Sequence, residues 1–292
     1  MTTLMAERAA APAGPPSRPP NRQALAITGR PYLSHTQLST LRRCAKSFSF
    51  RYAEKAPADF VPTSLLLGGA IHSSLEAFYQ ARMEGLSLST EEMFLAYQQS
   101  WRQSLAAAGH NVPVRYNKGE DEASLAALAQ RMIGAFLSSS LADPKGIILG
   151  IEESFTTVLR PDLPDLLAKV DLVVQTEGCL FIADFKTSRS KWSEAKALES
   201  ADQLILYSQA AAPMARELGL PVKLGFAVIT KAKTPVVQVL PVPVEPARIA
   251  GLANSVAEVW AAIQAGNFYP NPSAQNCNTC PFKSRCPAFT GR

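Results

Sequence analysis

The chain has 292 residues, with 29 Lys and Arg against 24 Asp and Glu for a net charge of +5, and 47% of it is hydrophobic. That composition belongs to a globular protein with a sizeable core and excludes a wholly disordered chain. No apolar stretch reaches the roughly 18 residues of a membrane span, and the N-terminus lacks the apolar run of a secretory signal, so a cytoplasmic, non-membrane protein is expected. The modest basic excess fits a polyanionic partner without defining one. Five cysteines, an odd number, argue against a disulfide framework and for a metal or cluster site.

Residues 1–30 are rich in Ala and Pro, including Pro15-Pro16-Ser17-Arg18-Pro19-Pro20. They read as a disordered arm. Residues 31–292 are expected to form one domain: a mainly helical part over 31–145, a sheet core over 146–265, and a cysteine tail over 266–292. Ser34 and Gln37 make a capping-box pattern, and Leu38, Leu41, Ala45 and Phe48 continue at helical spacing, placing Cys44 on that helix. Further helices are expected from about Leu65 to Met83, from the Ser89/Glu92 capping box to before Gly109, and from about Glu120 to Leu141. The pattern then changes to strands over Ile147–Leu159, Leu166–Gln175 and Cys179–Phe185, with a tight turn at Thr176-Glu177-Gly178. A helix over Ala201–Leu218, strands over Val222–Thr230 and Val236–Val242, and a helix over Pro246–Ala265 complete the order. This is an α/β arrangement of α+β character, a mixed sheet flanked by helices.

The densest chemical signal is Asp184-Phe185-Lys186 at the end of a predicted strand. Residues two apart on a strand face the same way, so Asp184 and Lys186 share one side, and Asp171 lies on the hairpin partner. Two carboxylates suit a hard cation such as Mg²⁺, which polarises a phosphoryl oxygen and acidifies a bound water. A lysine beside them orients that water or stabilises developing charge. A surface ion pair is the ordinary reading of one D-x-K triplet, but the second Asp one hairpin away raises the functional one. Upstream, Gly68 and Gly69 precede His72, with Glu76 one turn on. Downstream, Gln203 and Tyr207 are four apart on one helix face.

Taken together, Gly68…His72…Glu76, Asp171, Asp184-Phe185-Lys186-Thr187 and Gln203…Tyr207 resemble the PD-(D/E)xK nuclease superfamily, in particular its RecB-like and Cas4-like branch. The resemblance runs from about Leu33 to the C-terminus. It implies a restriction-endonuclease-like core. It also implies a Mg²⁺ or Mn²⁺ ion held by His72, Asp171, Asp184 and the Phe185 carbonyl, with Asp171, Asp184 and Lys186 catalytic. Gln203 and Tyr207 would contact nucleic acid or orient Lys186. No phosphate-binding G-x-x-x-x-G-K loop of a helicase is present.

Cys277 and Cys280 form a C-x2-C pair and Cys286 follows. A fourth ligand is needed, and Cys44 is favoured over Cys179, which opens a strand and reads as a buried thiol. Zinc and iron–sulfur clusters both accept four thiolates. One cysteine before the core and three after it resemble the [4Fe–4S] clasp of the Cas4-like nucleases, which implies a structural cluster on Cys44, Cys277, Cys280 and Cys286.

The expected function is a metal-dependent DNA nuclease, an exonuclease on single strands or ends, with protein partners in CRISPR adaptation, recombination or phage DNA processing. Arg42, Arg43, Lys46, Arg189, Lys191, Lys231 and Lys233 supply positive charge for DNA, and Phe185, Trp192 and Tyr207 are candidates to stack on bases. The alternatives are a non-catalytic nucleic-acid-binding or assembly subunit and a zinc-stabilised scaffold.

Overall fold

A computed structural model describes residues 18–109 and 111–290. Its first half is helical: α1 (Arg22–Thr28), a short β1 (Tyr32–Ser34), α2 (His35–Arg43), α3 (Ala45–Phe48), β2 (Val61–Pro62), α4 (Thr63–Met83), α5 (Thr90–Ala108), β3 (Val114–Arg115) and α6 (Glu122–Leu137). The second half holds β4 (Ile147–Thr157), β5 (Asp165–Gln175), β6 (Leu180–Ser188), α7 (Glu194–Glu199), α8 (Asp202–Leu218), β7 (Val222–Thr230), β8 (Val237–Val242) and α9 (Pro246–Gln264). The tail adds α10 (Ala274–Cys277) and α11 (Pro287–Thr290). Among the described residues no helix is long and apolar enough to cross a membrane.

The expected mixed sheet flanked by helices is what forms. Its order is β1-β5-β6-β7-β8, with β4 on β5. β6 and β7 are parallel, while β4–β5, β5–β6 and β7–β8 are antiparallel. One face carries Leu180, Ile182, Leu224 and Phe226 against α2, α8 and α9. The other carries Ala183, Phe185, Ala227 and Ile229 against α4, α5 and α6. Alternation along β6 thus buries both faces, as a central strand requires. The capping box at Ser89 and Glu92 forms as read, and Ser34 caps α2 through the Gln37 N–H.

Two features differ from the sequence reading. Of the arm expected over 1–30, residues 1–17 lie outside the described residues, and Arg22–Thr28 is a helix. Asn21 caps it, Gly29 ends it at φ 73°, and Ala24 and Thr28 are buried. Composition missed it because one small buried face suffices for two turns docked on α9. The helix expected through Cys44 breaks there. Cys44 is extended at φ −162°, ψ 108°, between α2 and α3. Helical spacing of the flanking apolar residues continues across the break and hides it.

The sheet forks at β5. β4 pairs along nearly all of it, so β1 and β6 divide the other edge. β1 takes Asp165, Leu166 and Leu167, and β6 takes Leu172 to Gln175. Residues 168–171 have no strand on that side.

The docking of α1 has a direct check. Ala24 is 0% exposed and its neighbour Leu25 is 47% exposed. Ala24→Asp should lower stability by roughly 3 kcal/mol, because it buries an unpaired charge, while Leu25→Asp changes little. Equal melting temperatures for the two variants would mean that α1 is undocked.

Candidate active site

Asp171 and Asp184 each lie one residue beyond the last β5–β6 pair, Leu172↔Ala183. The strands part there. The Asp171 carboxylate takes over the ladder's role by accepting the Phe185 N–H at 2.6 Å. Asp184 is 1% exposed, and its Oδ2 has Lys186 Nζ 2.5 Å away but no hydrogen bond of good geometry. Lys186 Nζ donates to Gln203 Oε1 at 2.8 Å, and Gln203 Nε2 donates to the Tyr207 hydroxyl at 2.6 Å. The i, i+4 pair on α8 therefore fixes the lysine from below.

His72, on α4, faces the fork from the other side. Its Nδ1 is 3.6 Å from Asp171 Oδ2 and 3.9 Å from Glu152 Oε1. Its ring meets Phe185 edge-on at 6.0 Å. Glu152 is the site residue that sequence reading missed. It stands opposite Asp171 in β4, has φ +53°, and also pairs with Lys169. Both strands turn over at this point. Val170 faces the α8 side while Leu172 faces the α4 side, and on β4 Ile151 and Phe155 likewise fall on opposite sides. A left-handed residue in mid-strand is costly for a side chain with a Cβ and marks a re-aimed carboxylate.

The electrostatics follow from this crowding. Burial, and then the Asp184 charge, hold the Asp171 carboxyl well above the ordinary carboxylate range. Burial alone would lower the His72 imidazole, but Glu152, Asp171 and Asp184 outweigh it and raise it. Glu152 is opposed by burial yet held below its usual value by His72 and Lys169. His35, the first residue of α2, is pushed down to about 4 by burial and then by Lys186, so a neutral imidazole borders the site. Burial, followed by the carboxylates, also raises the Tyr207 phenol.

These residues fit a divalent cation. One ligand atom each from His72, Glu152 and Asp171 lie within 4.8 Å of one another, and the buried Asp184 Oδ2 is paired with Lys186 but makes no hydrogen bond of good geometry. Crowded oxygens with one imidazole are the donor set of a hard or borderline metal.

The PD-(D/E)XK nuclease superfamily profile matches residues 32–287, and the chain belongs to that superfamily. Members use divalent metals, in keeping with this acidic cluster. A candidate exonuclease from Eubacterium rectale has a similar solved structure, at 14% identity and TM-score 0.52 over 89% of each chain. That likeness is one of fold. A second solved structure, SSO0001, aligns at 13% identity over 87% of this chain and 95% of its own with a TM-score of 0.34, too low to carry an argument. No curated protein matches the sequence significantly.

Other expected residues fall elsewhere. Phe185, 2% exposed, stacks on Tyr79 at 5.9 Å; Trp192 packs on Phe226 at 5.2 Å; and Tyr207 is buried. The Phe185 and Tyr207 rings belong to the core and do not offer a face to bases, while Trp192 is partly buried against it. Glu76 is exposed and lines a groove between α4 and α5. Arg42 is tied to Asp202 at 2.8 Å and Lys46 to Glu54 at 2.9 Å, which leaves less free charge than the composition suggested. Cys44, Cys277, Cys280 and Cys286 line a single cavity, while buried Cys179 sits in the β5–β6 turn against Thr176.

The contribution of Glu152 is measurable by calorimetric Mn²⁺ titration. His72→Ala and Glu152→Gln should each weaken binding about tenfold or more. Mn²⁺ affinity equal to the parent's in Glu152→Gln would exclude it from the metal environment.

Proposed function

We propose that this protein is a Mg²⁺- or Mn²⁺-dependent deoxyribonuclease, an exonuclease acting on single strands or DNA ends in the cytoplasm. The observation that carries the reading is the convergence of Asp171, Asp184 and Lys186 at the β5 fork, faced by His72. The Eubacterium rectale protein of similar fold is itself described as a candidate exonuclease, which agrees with it.

His72, Asp171, Asp184 and the Phe185 carbonyl would hold the metal, with Glu152 beside them. Bound there, Mg²⁺ or Mn²⁺ supplies Lewis-acid polarisation of the phosphoryl oxygen and a lowered pKa for the attacking water. Lys186 carries the remaining work. Its ammonium, pinned between Asp184 and Gln203, directs a donor at the attacking water or the charged phosphoryl oxygens. Tyr207 restrains Gln203, so both act as positioning residues for the lysine.

The same proposal includes a structural [4Fe–4S] cluster on Cys44, Cys277, Cys280 and Cys286. The break between α2 and α3 turns Cys44 toward the tail, and the Asn271 N–H donates to its sulfur at 3.4 Å. Burial, and nearby Cys44 and Cys286, raise the Cys280 thiol. Asn271 and Asn276 both bind the Arg43 carbonyl, at 3.1 and 3.0 Å. Zinc sites more often use two C-x2-C pairs, and this sequence has one, followed by a single cysteine, which favours the cluster over zinc. Protein partners in CRISPR adaptation, recombination or phage DNA processing are consistent with a DNA-end nuclease.

Asp184→Ala and Lys186→Ala should each abolish metal-dependent cleavage of end-labelled single-stranded DNA, a loss of at least about a hundredfold, while folding persists. Lys186→Ala cleaving at the parent rate would overturn the site. For the cluster, iron and acid-labile sulfide should be lost in Cys44→Ser as in Cys280→Ser and retained in Cys179→Ser. Stoichiometric zinc in the anaerobically purified parent would instead favour the scaffold reading.

A further inference from the structure

At the carboxyl ends of the parallel strands β6 and β7, one residue past their last pair Ser188↔Thr230, stand Arg189 and Lys231. They line a cavity of about 610 Å³ together with Thr63, Ser64, Asn117 and Lys118. Glu120 also faces it and must be accounted for. Its Oε2 accepts from Thr63 Oγ1 at 2.8 Å and from Asn117 Nδ2 and N at 2.8 and 3.1 Å, which locks one wall of the cavity. Three cations therefore share the space with a single carboxylate, whose Oε2 is already taken by these three donors.

Lys231 is the informative member. It is half-buried, and its ammonium has no hydrogen bond or ion pair among the described residues. Burial, and then the Arg189 guanidinium, hold it below the ordinary lysine range, outweighing the opposing pull of Glu120. Among the described residues the Arg189 guanidinium donates only to Asn117 Oδ1, at 3.5 Å. Placing two cations side by side, one of them partly desolvated, opposes folding unless an anion joins them. Hydroxyl and amide groups at the rim suit tetrahedral oxygens.

We propose that this cavity binds a phosphate group of the DNA strand, at a position other than the one cleaved. Ser64 precedes His72 by eight residues of α4, about 12 Å, and Arg189 follows Lys186 by three residues, about 10 Å if extended. The cavity therefore sits beside the carboxylates without overlapping them. Its ligand chemistry is a phosphate monoester or diester, from a strand terminus or from within the strand. The identity of that ligand rests on the nuclease reading; the anion site itself does not.

The test is fluorescence anisotropy of 3′-labelled single-stranded oligonucleotides in chelator, from 50 to 200 mM salt, so that binding is read whether or not the parent cleaves. Lys231→Gln and Arg189→Gln should each weaken binding about tenfold and reduce the log–log salt slope by about one. Lys231→Arg should keep both. Lys231→Gln should melt no lower than the parent, since it removes an unpaired charge. A preference for 5′-phosphorylated over 5′-hydroxyl oligonucleotides that vanishes in Lys231→Gln assigns the site to a terminal phosphate. Equal binding of both, with competition by circular single strands, assigns it to an internal one. Unchanged slope and affinity in both Gln variants, or a parent that does not bind single strands, would overturn the phosphate site. A parent that binds with the expected slope yet fails to cleave with Mg²⁺ or Mn²⁺ would overturn the nuclease reading alone.

Discussion

The hydrogen bond from the Phe185 N–H to Asp171 is the contact around which the molecule is arranged. β5 and β6 could not separate without leaving a buried donor unpaired, and the Asp171 carboxylate satisfies it at 2.6 Å. Separation in turn makes room for β1 on the same edge of β5, and β1 delivers α2 directly beside Asp184 and Lys186. The carboxylate that opens the sheet is thus also the one available to a cation. Fold and chemistry compete for the same oxygen atoms.

Much of this was legible in the sequence for simple reasons. Period two put Asp184 and Lys186 on one face, a two-sided apolar run marked β6 as central, and Gln203 and Tyr207 met through helical spacing. Capping patterns at Ser34 and Ser89 located two helix starts. What escaped was whatever departs from a period. Glu152 hides beside Glu153 in a strand whose faces exchange at that point. Cys44 interrupts a helix whose apolar spacing carries on across the break. The aromatics were misread in the other direction: Phe185 and Tyr207 lie next to the chemistry, but their rings are consumed in packing, which residue type cannot reveal. Arg42 and Lys46 looked like free charge until the fold supplied Asp202 and Glu54 from distant segments.

The two halves of the chain are joined at more than the sheet. α2 runs from His35 at the fork to Arg43, nine residues or about 13 Å of helix, and Cys44 follows directly at the tail cavity. The tail is sewn to the N-terminal segment by backbone bonds from Lys46 to Tyr269 and from Asp59 to Pro281, and by Ser284 on Asp59. Phe282, buried against Phe50 at 5.7 Å, anchors it. A disturbance at the cysteines therefore has a short mechanical path to the residue that borders Lys186, through a single helix.

The left-handed backbone at Glu152 carries an implication for how such a sequence drifts. Glycine or asparagine would occupy that conformation with less strain and would relieve the crowding of carboxylates around His72. Random substitution judged on folding alone would therefore move this position away from glutamate. A chain of this architecture that has ceased to need its acidic cluster should lose the glutamate here early. The identity of one residue in mid-strand then serves as a fossil gauge of whether the site is still in use.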